Sequence, residues 1–198
     1  MRASHSTRKT LVTTSCATEL GPLLLAHARH AIASALGCAS DPPEDTEALH
    51  ERGATFVTLR SNGELRGCIG SVRAQRSLGE DLRHNAVAAA NNDTRFAPVS
   101  REELPALTIE VSVLSEPEFI DFASEAELCA KLQPGIDGLI IFSGCRSATF
   151  LPQVWEQLPE PEHFLAALKH KAGLDPSRPI PNAMAATYRV TKWSESPN

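Results

Sequence analysis

The sequence predicts an α+β domain with a mixed or antiparallel sheet flanked by helices. Strand-like and helix-like segments alternate irregularly rather than in βαβ order. At least two neighbouring strand pairs are separated by only a few turn residues, so they read as hairpins. The length of 198 residues suits one domain that buries its own core without disulfides.

The elements follow in order. Residues 1–15 are rich in Ser and Thr, carry no acid and read as a flexible tail; residues 16–198 read as the domain. Leu20, Leu24, Ala28, Ala31, Ala35 and Leu36 form one helical stripe from about residue 19, and Gly37 stops it. Residues 40–53 read as an acidic linker opened by Pro42-Pro43. Residues 54–60 read as a strand, Asn62-Gly63 as a tight hairpin turn, and residues 65–72 as the returning strand. Ser77 and Glu80 make a capping box for an Ala-rich helix to about Asn91. Leu107, Ile109, Val111 and Val113 alternate on one face of a strand spanning 107–114. Ser124 and Glu127 cap a short helix ending near Leu132. Strands at 139–142 and 148–151 turn at Gly144. Pro161 opens a helix over 162–172 that Gly173 ends, and residues 187–193 alternate as a last strand.

Charge and cysteine usage narrow the function classes. The net charge is −5, yet Asp41, Glu44, Asp45, Glu47 and Glu51 account for the whole excess. Removing them leaves nineteen acids against nineteen bases, which argues against a globally basic nucleic-acid binder. Aromatics at 5% provide few stacking platforms for single strands. Five cysteines, with no C-x-x-C pair, do not make a secreted disulfide framework, and no apolar run reaches a membrane span. A cytoplasmic, reduced protein is the expectation.

The sharpest local feature is Leu65-Arg66-Gly67-Cys68-Ile69-Gly70. On a regular strand Arg66 and Cys68 share a face, with Leu65 and Ile69 on the other. A guanidinium beside a thiol favours the nucleophilic thiolate. Glycines at 67 and 70 leave bare backbone for a close approach by ligand or chain. The functional reading is a pocket floor with a nucleophilic Cys68 and an anion-binding Arg66. The competing reading is a buried cysteine acting as a small hydrophobe, with the glycines serving packing. Glu110 lies opposite the apolar face of its strand, as an acid–base group if that face is covered and a routine surface carboxylate if it is wet. Residues 60–101 carry seven arginines against four acids, so a pocket there could take a phosphate or carboxylate. His27 with His30, and His163 with His170, share helix faces, but two ligands are not a metal site, and no metal or cofactor is assigned.

The Leu65–Gly70 hexapeptide resembles the signature of the AMMECR family. Phe56-Val57-Thr58-Leu59 before it, Asn85-Ala86, and Asp93-Thr94-Arg95-Phe96-Ala97-Pro98 are similar to further family segments. So are residues 107–118, the Gly135-to-Gly138 turn, residues 148–159 and Lys171-Ala172-Gly173. The likeness covers about residues 18–194. It implies a two-lobed α+β domain with a cleft lined by the Arg66–Gly70 segment. In bacteria such domains resemble protein A of the AmmeMemoRadiSam system, whose implied partners are a Memo-like protein and a radical-SAM protein. The family implies no established reaction. The resulting candidate site has Cys68 and Glu110 as catalytic groups, and Arg66, Gly67, Gly70, Asn85, Asp93 and Arg95 as groups holding a small anionic substrate or ordering the cleft. The alternative is a non-catalytic binding or adaptor module for those partners.

Overall fold

The computed structural model describes residues 14–39, 41–180 and 183–196. Two antiparallel sheets, each with its own helices, make up the chain, and every strand pair is antiparallel. The larger sheet runs in the order β2 (Glu64–Gly70), β1 (Arg52–Ser61), β4 (Leu107–Leu114), β9 (Val190–Ser194), with the two-residue β3 (Arg76–Ser77) also paired to β1. The smaller has the order β5 (Glu118–Ile120), β8 (Met184–Tyr188), β6 (Gly138–Ser143), β7 (Arg146–Phe150). The α+β class stands, and its single expected sheet is two.

One face of the larger sheet is covered by α1 (Thr14–Ala35) and α2 (Leu78–Asn91). Leu24, Ala28 and Ile32 from α1, and Leu82, Ala86 and Ala89 from α2, bury against Val57, Leu59, Ile109 and Val111. That packing uses the predicted stripe and alternation, because helix and strand each put their apolar residues on one side. The helix α1 begins at Thr14, earlier than its apolar stripe, since nothing between Thr14 and Glu19 breaks a helix. The residues expected to form the tail lie mostly outside the described ones. The capping box of α2 forms as expected from Ser77 and Glu80. Asn62 and Gly63 both take positive φ, 52° and 82°, as a tight hairpin turn needs.

The acidic stretch is anchored rather than free. Leu49 is buried in the core, the Leu78 N–H donates to the Glu51 carbonyl, and His27 Nε2 lies 2.9 Å from the Glu44 carbonyl.

The smaller lobe has a second core. Leu139, Ile141 and Ala185 pack on Leu128 of α3 (Glu125–Lys131), on Phe164, Leu165 and Leu168 of α4 (Pro161–Lys171), and on Trp155. Trp155 stacks on Phe164 at 3.7 Å and donates from Nε1 to the Asp137 carbonyl, which fixes the short 3-10 helix Pro152–Glu156. Ala54, Leu114, Ile140 and Tyr188 join the two sheets, flanked by Phe56, Leu151 and Val190.

The predicted last strand is two strands. Tyr188 ends β8 in the smaller sheet, Val190 starts β9 in the larger, and Arg189 is the crossover between them. A continuous polar–apolar alternation hides such a change of sheet, because both strands keep the same period.

Candidate functional site

The face of the larger sheet opposite its helices looks toward the smaller lobe. Antiparallel register sets two rows across it. One is Cys68, Thr58, Glu110 and Ser194; the next is Gly70, Phe56, Ser112 and Lys192. All of these except Gly70 and Ser194 line the floor of a cavity of about 330 Å³, whose far wall comes from Gly135, Leu151, Pro152, Gln153 and Glu156 of the smaller lobe. The anchoring of Trp155 therefore places that wall.

Cys68 is half-buried, and Thr58 Oγ1 donates to its Sγ at 3.3 Å. The main chain of Cys68 lies on the outer edge of the sheet, where an unpaired strand would expose its polar groups. Asp93 and Arg95 close that edge. The Cys68 N–H donates to Asp93 Oδ2 at 2.8 Å, Arg95 Nη2 donates to the Cys68 carbonyl at 3.3 Å, and Arg95 Nη2 also pairs with Asp93 Oδ2 at 2.6 Å. Hydrogen bonds from Arg95 hold the buried Asp93 carboxyl well below the usual carboxylate range, against the opposing effect of burial. The Asp-x-Arg segment thus acts as a substitute strand for one residue, and it positions the thiol.

Glu110 faces the cavity with a side chain only 15% exposed and pairs with Lys192 Nζ at 3.3 Å. That strand face is therefore covered by the smaller lobe rather than open to solvent.

Arg66 is placed elsewhere. Leu59 pairs with Gly67 and Arg60 with Leu65, so Arg66 is the extra residue of a β-bulge. A bulge interrupts the alternation that put Arg66 beside Cys68. Its guanidinium instead forks onto Glu103, Nε to Oε1 at 3.0 Å and Nη2 to Oε2 at 3.2 Å, and Nη2 reaches the Pro98 carbonyl. Arg66 ties down the loop before the 3-10 helix Leu104–Ala106 and does not line the cavity.

The glycines have packing reasons. A Cβ on Gly67 would lie 2.2 Å from the Ala89 carbonyl oxygen of α2, and one on Gly70 would lie 2.2 Å from the Phe56 ring. Gly67 lets helix approach strand, and Gly70 makes room for the ring over the pocket floor. Asn85 is buried away from the thiol and donates to the Thr55 carbonyl and to Asp81 Oδ2. Asp81, wholly buried, also accepts from the Thr55 N–H, Thr55 Oγ1 and Ser71 Oγ. Asn85 and Asp81 brace the β1–α2 junction.

The expectation of a positive cleft at Cys68 is not met by its lining. The ionisable side chains there, besides the thiol, are Glu110, Glu156 and Lys192, and none of the arginines between 60 and 101 takes part. Thr58, Ser112 and Lys192 were missed because only strand pairing brings them onto one pocket floor with Cys68. A pattern signal existed for Thr58 and Ser112, which share strand faces with Phe56 and Glu110. Gln153 and Glu156 come from the other lobe and leave no such signal.

A larger cavity, about 570 Å³, lies by β5 and is lined by Lys131, Asp137 and Arg189 among others. Lys131 is taken up by Glu127 and the Asp121 carbonyl, Asp137 accepts from the Gln133 N–H, and Arg189 reaches Asp137 only at 3.9 Å. No thiol is among its lining residues. Among the described residues no cluster of His, Cys, Asp and Glu is placed to hold a metal ion, and no helix is long and apolar enough to cross a membrane.

Fold and site together define a class: α+β domains of two antiparallel sheets with a thiol-bearing pocket at their junction. The chain belongs to the AMMECR1 family, whose model matches residues 25–193. A protein of Thermofilum pendens is 41% identical over 170 residues, 79% of this chain and 80% of its own. Protein TK0174 of Thermococcus kodakarensis is 42% identical over 147 residues, 69% of each chain. The crystal structure of the uncharacterized protein PH0010 from Pyrococcus horikoshii superposes with a TM-score of 0.75 at 36% identity, covering 90% of this chain and 92% of that one.

Proposed function

We propose that the pocket between the lobes binds a small polar molecule, neutral or cationic, and that Cys68 acts on it as nucleophile. The carrying observation is the placement of the thiol: on the pocket floor, its main chain clamped by Asp93 and Arg95, its sulfur receiving the Thr58 hydroxyl. A fixed backbone and a hydrogen-bonded sulfur give a nucleophile the orientation it needs. Glu110 lies two strands away from Cys68, about 10 Å at ordinary strand spacing. It is too far to deprotonate the thiol, and it serves the other end of a bound molecule, taking or giving a proton there. Lys192 Nζ, 3.3 Å away, orients that carboxylate.

A second reading is a non-catalytic binding module that presents its ligand to Memo-like and radical-SAM partners. The observation favouring it is that no imidazole lines the pocket among the described residues, so the usual base beside a catalytic thiol is missing.

Small disulfides of opposite charge separate these readings. Cys68 thiolate displaces one sulfur of cystamine, forming a mixed disulfide and releasing cysteamine thiolate. The nucleophile reading expects Cys68 to be modified faster by cationic cystamine than by anionic dithiodiglycolate. Slow modification by both supports the binding module, and preference for the anion contradicts the assigned ligand charge.

A further inference from the structure

A third cavity, of about 360 Å³, opens at the C-terminal end of β2, lined by Gly70, Ser71, Arg73, Arg76, His84 and Asn85 among others. Its charge is opposite to that of the Cys68 pocket. Arg73 and Arg76 line it, His84 adds an imidazole, and no carboxylate is among its lining residues. We propose that this cavity binds the phosphate group of a small molecule.

Three observations converge. First, the guanidinium of Arg76 has donors to spare. Its hydrogen bond to a carboxylate is Nη1 to Asp81 Oδ1 at a long 3.4 Å, Glu80 acts on it only through space, and its side chain is 43% exposed. Asp81 is held mainly by closer donors, the Thr55 N–H, Thr55 Oγ1, Ser71 Oγ and Asn85 Nδ2, which reach that carboxylate at 2.8–2.9 Å. Second, Arg73 is exposed and makes only a marginal contact, Nη2 to Ser147 Oγ at 3.5 Å. Two such forks on one cavity suit an oxyanion with several acceptor oxygens. Third, the edge of β2 supplies main-chain donors. Alternate residues of an antiparallel edge strand turn their N–H and C=O outward. Cys68 is outward, since its N–H goes to Asp93, and Ser71 is inward, since its N–H goes to the Thr55 carbonyl. Gly70 is therefore outward, and it lines the cavity. Asp93 and Arg95 occupy the edge at Cys68 and stop short of Gly70. Two of the seven arginines of residues 60–101, Arg73 and Arg76, thus serve a site on the opposite side of the Arg66–Gly70 segment from the thiol.

The test is titration of the protein with inorganic phosphate at constant ionic strength, followed by amide NMR shifts and isothermal calorimetry. The expected result is a saturable shift centred on residues 69–76 and 84–85. Arg73→Gln and Arg76→Gln should each weaken binding about tenfold or more, the effect of one charged hydrogen-bonding group. Arg73→Gln lies outside the Asp81 network, so its loss of binding cannot be traced to misfolding. Arg60→Gln removes the same charge at the far end of β1, outside this cavity, and should leave binding unchanged. Equal weakening in all three variants would reduce the effect to general charge and overturn the proposal. So would the absence of saturable shifts, or tighter binding of citrate than of phosphate.

Discussion

Cys68 is held at the scale of single residues. Its amide depends on Asp93, and Asp93→Ala leaves that N–H without its partner, at a cost of about 1–3 kcal/mol in urea unfolding at neutral pH. The same carboxyl sets a pH dependence. Arg95 depresses the folded-state pKa of Asp93, so its contribution is complete above the unfolded value of about 4 and fades as pH falls below that. The stability gap between wild type and Asp93→Asn, followed by urea titration, should therefore be constant from pH 5 to 8 and narrow toward pH 2; a gap that widens in acid contradicts the clamp. Gly67→Ala should cost about 1–3 kcal/mol through collision with the Ala89 carbonyl, because backbone on both sides cannot yield. What the sequence made legible at this scale follows regularity. Cys68 and Glu110 were found because strand alternation and an apolar face opposite them are local signals. Arg66 was misplaced because one inserted residue, matched by no partner on β1, rotates a side chain without leaving any mark in composition.

Elements are joined by buried polar groups as well as by the apolar core. Asp81, on the first turns of α2, collects donors from β1 and from the end of β2, so it fixes the helix against both strands. Asp81→Asn replaces one acceptor oxygen with a donor facing donors. It should destabilise by about 1–3 kcal/mol and lower amide protection in β1 and α2 before the smaller lobe is affected, as read by hydrogen exchange. Element boundaries were readable where local chemistry sets them. The Ser77 box, the Asn62-Gly63 turn and the stops at Gly37 and Gly173 all form. The strands β5 and β8 were not, because Glu118–Ile120 is too short to show a period and Met184–Tyr188 owes its pairing to the distant β6.

On the scale of the whole molecule, the pocket exists because two lobes meet on a small apolar junction. Tyr188 stands in it, its hydroxyl 2.9 Å from Thr149 Oγ1 and 3.1 Å from the Phe150 carbonyl that accepts from it. Burial pushes its phenol above the ordinary value, and it is the single tyrosine of the chain. A raised folded-state pKa favours the neutral form, so the contribution is complete below about pH 10, the unfolded value, and is lost as pH rises through the folded one. Absorbance at the phenolate band should therefore stay flat to beyond pH 10 and rise together with opening of the junction. An ordinary titration curve in the folded protein would show that the junction is wet. The two-lobed arrangement was legible only through the family likeness, since nothing local in the chain marks Pro152–Glu156 as the wall opposite Cys68.

The central claim is that Cys68 is the working thiol of the pocket, and site-resolved iodoacetamide labelling near pH 7 tests it most directly. Cys38 and Cys145 are exposed, and burial, with Glu162 and Glu125 nearby, pushes the Cys129 thiol up and out of reach. The account predicts Cys68 labelled faster than Cys38 and Cys145 despite its lower exposure, with Cys129 slowest, and predicts that Thr58→Val reduces the Cys68 rate alone. Labelling of Cys68 no faster than that of the exposed thiols, unchanged by Thr58→Val, would contradict it.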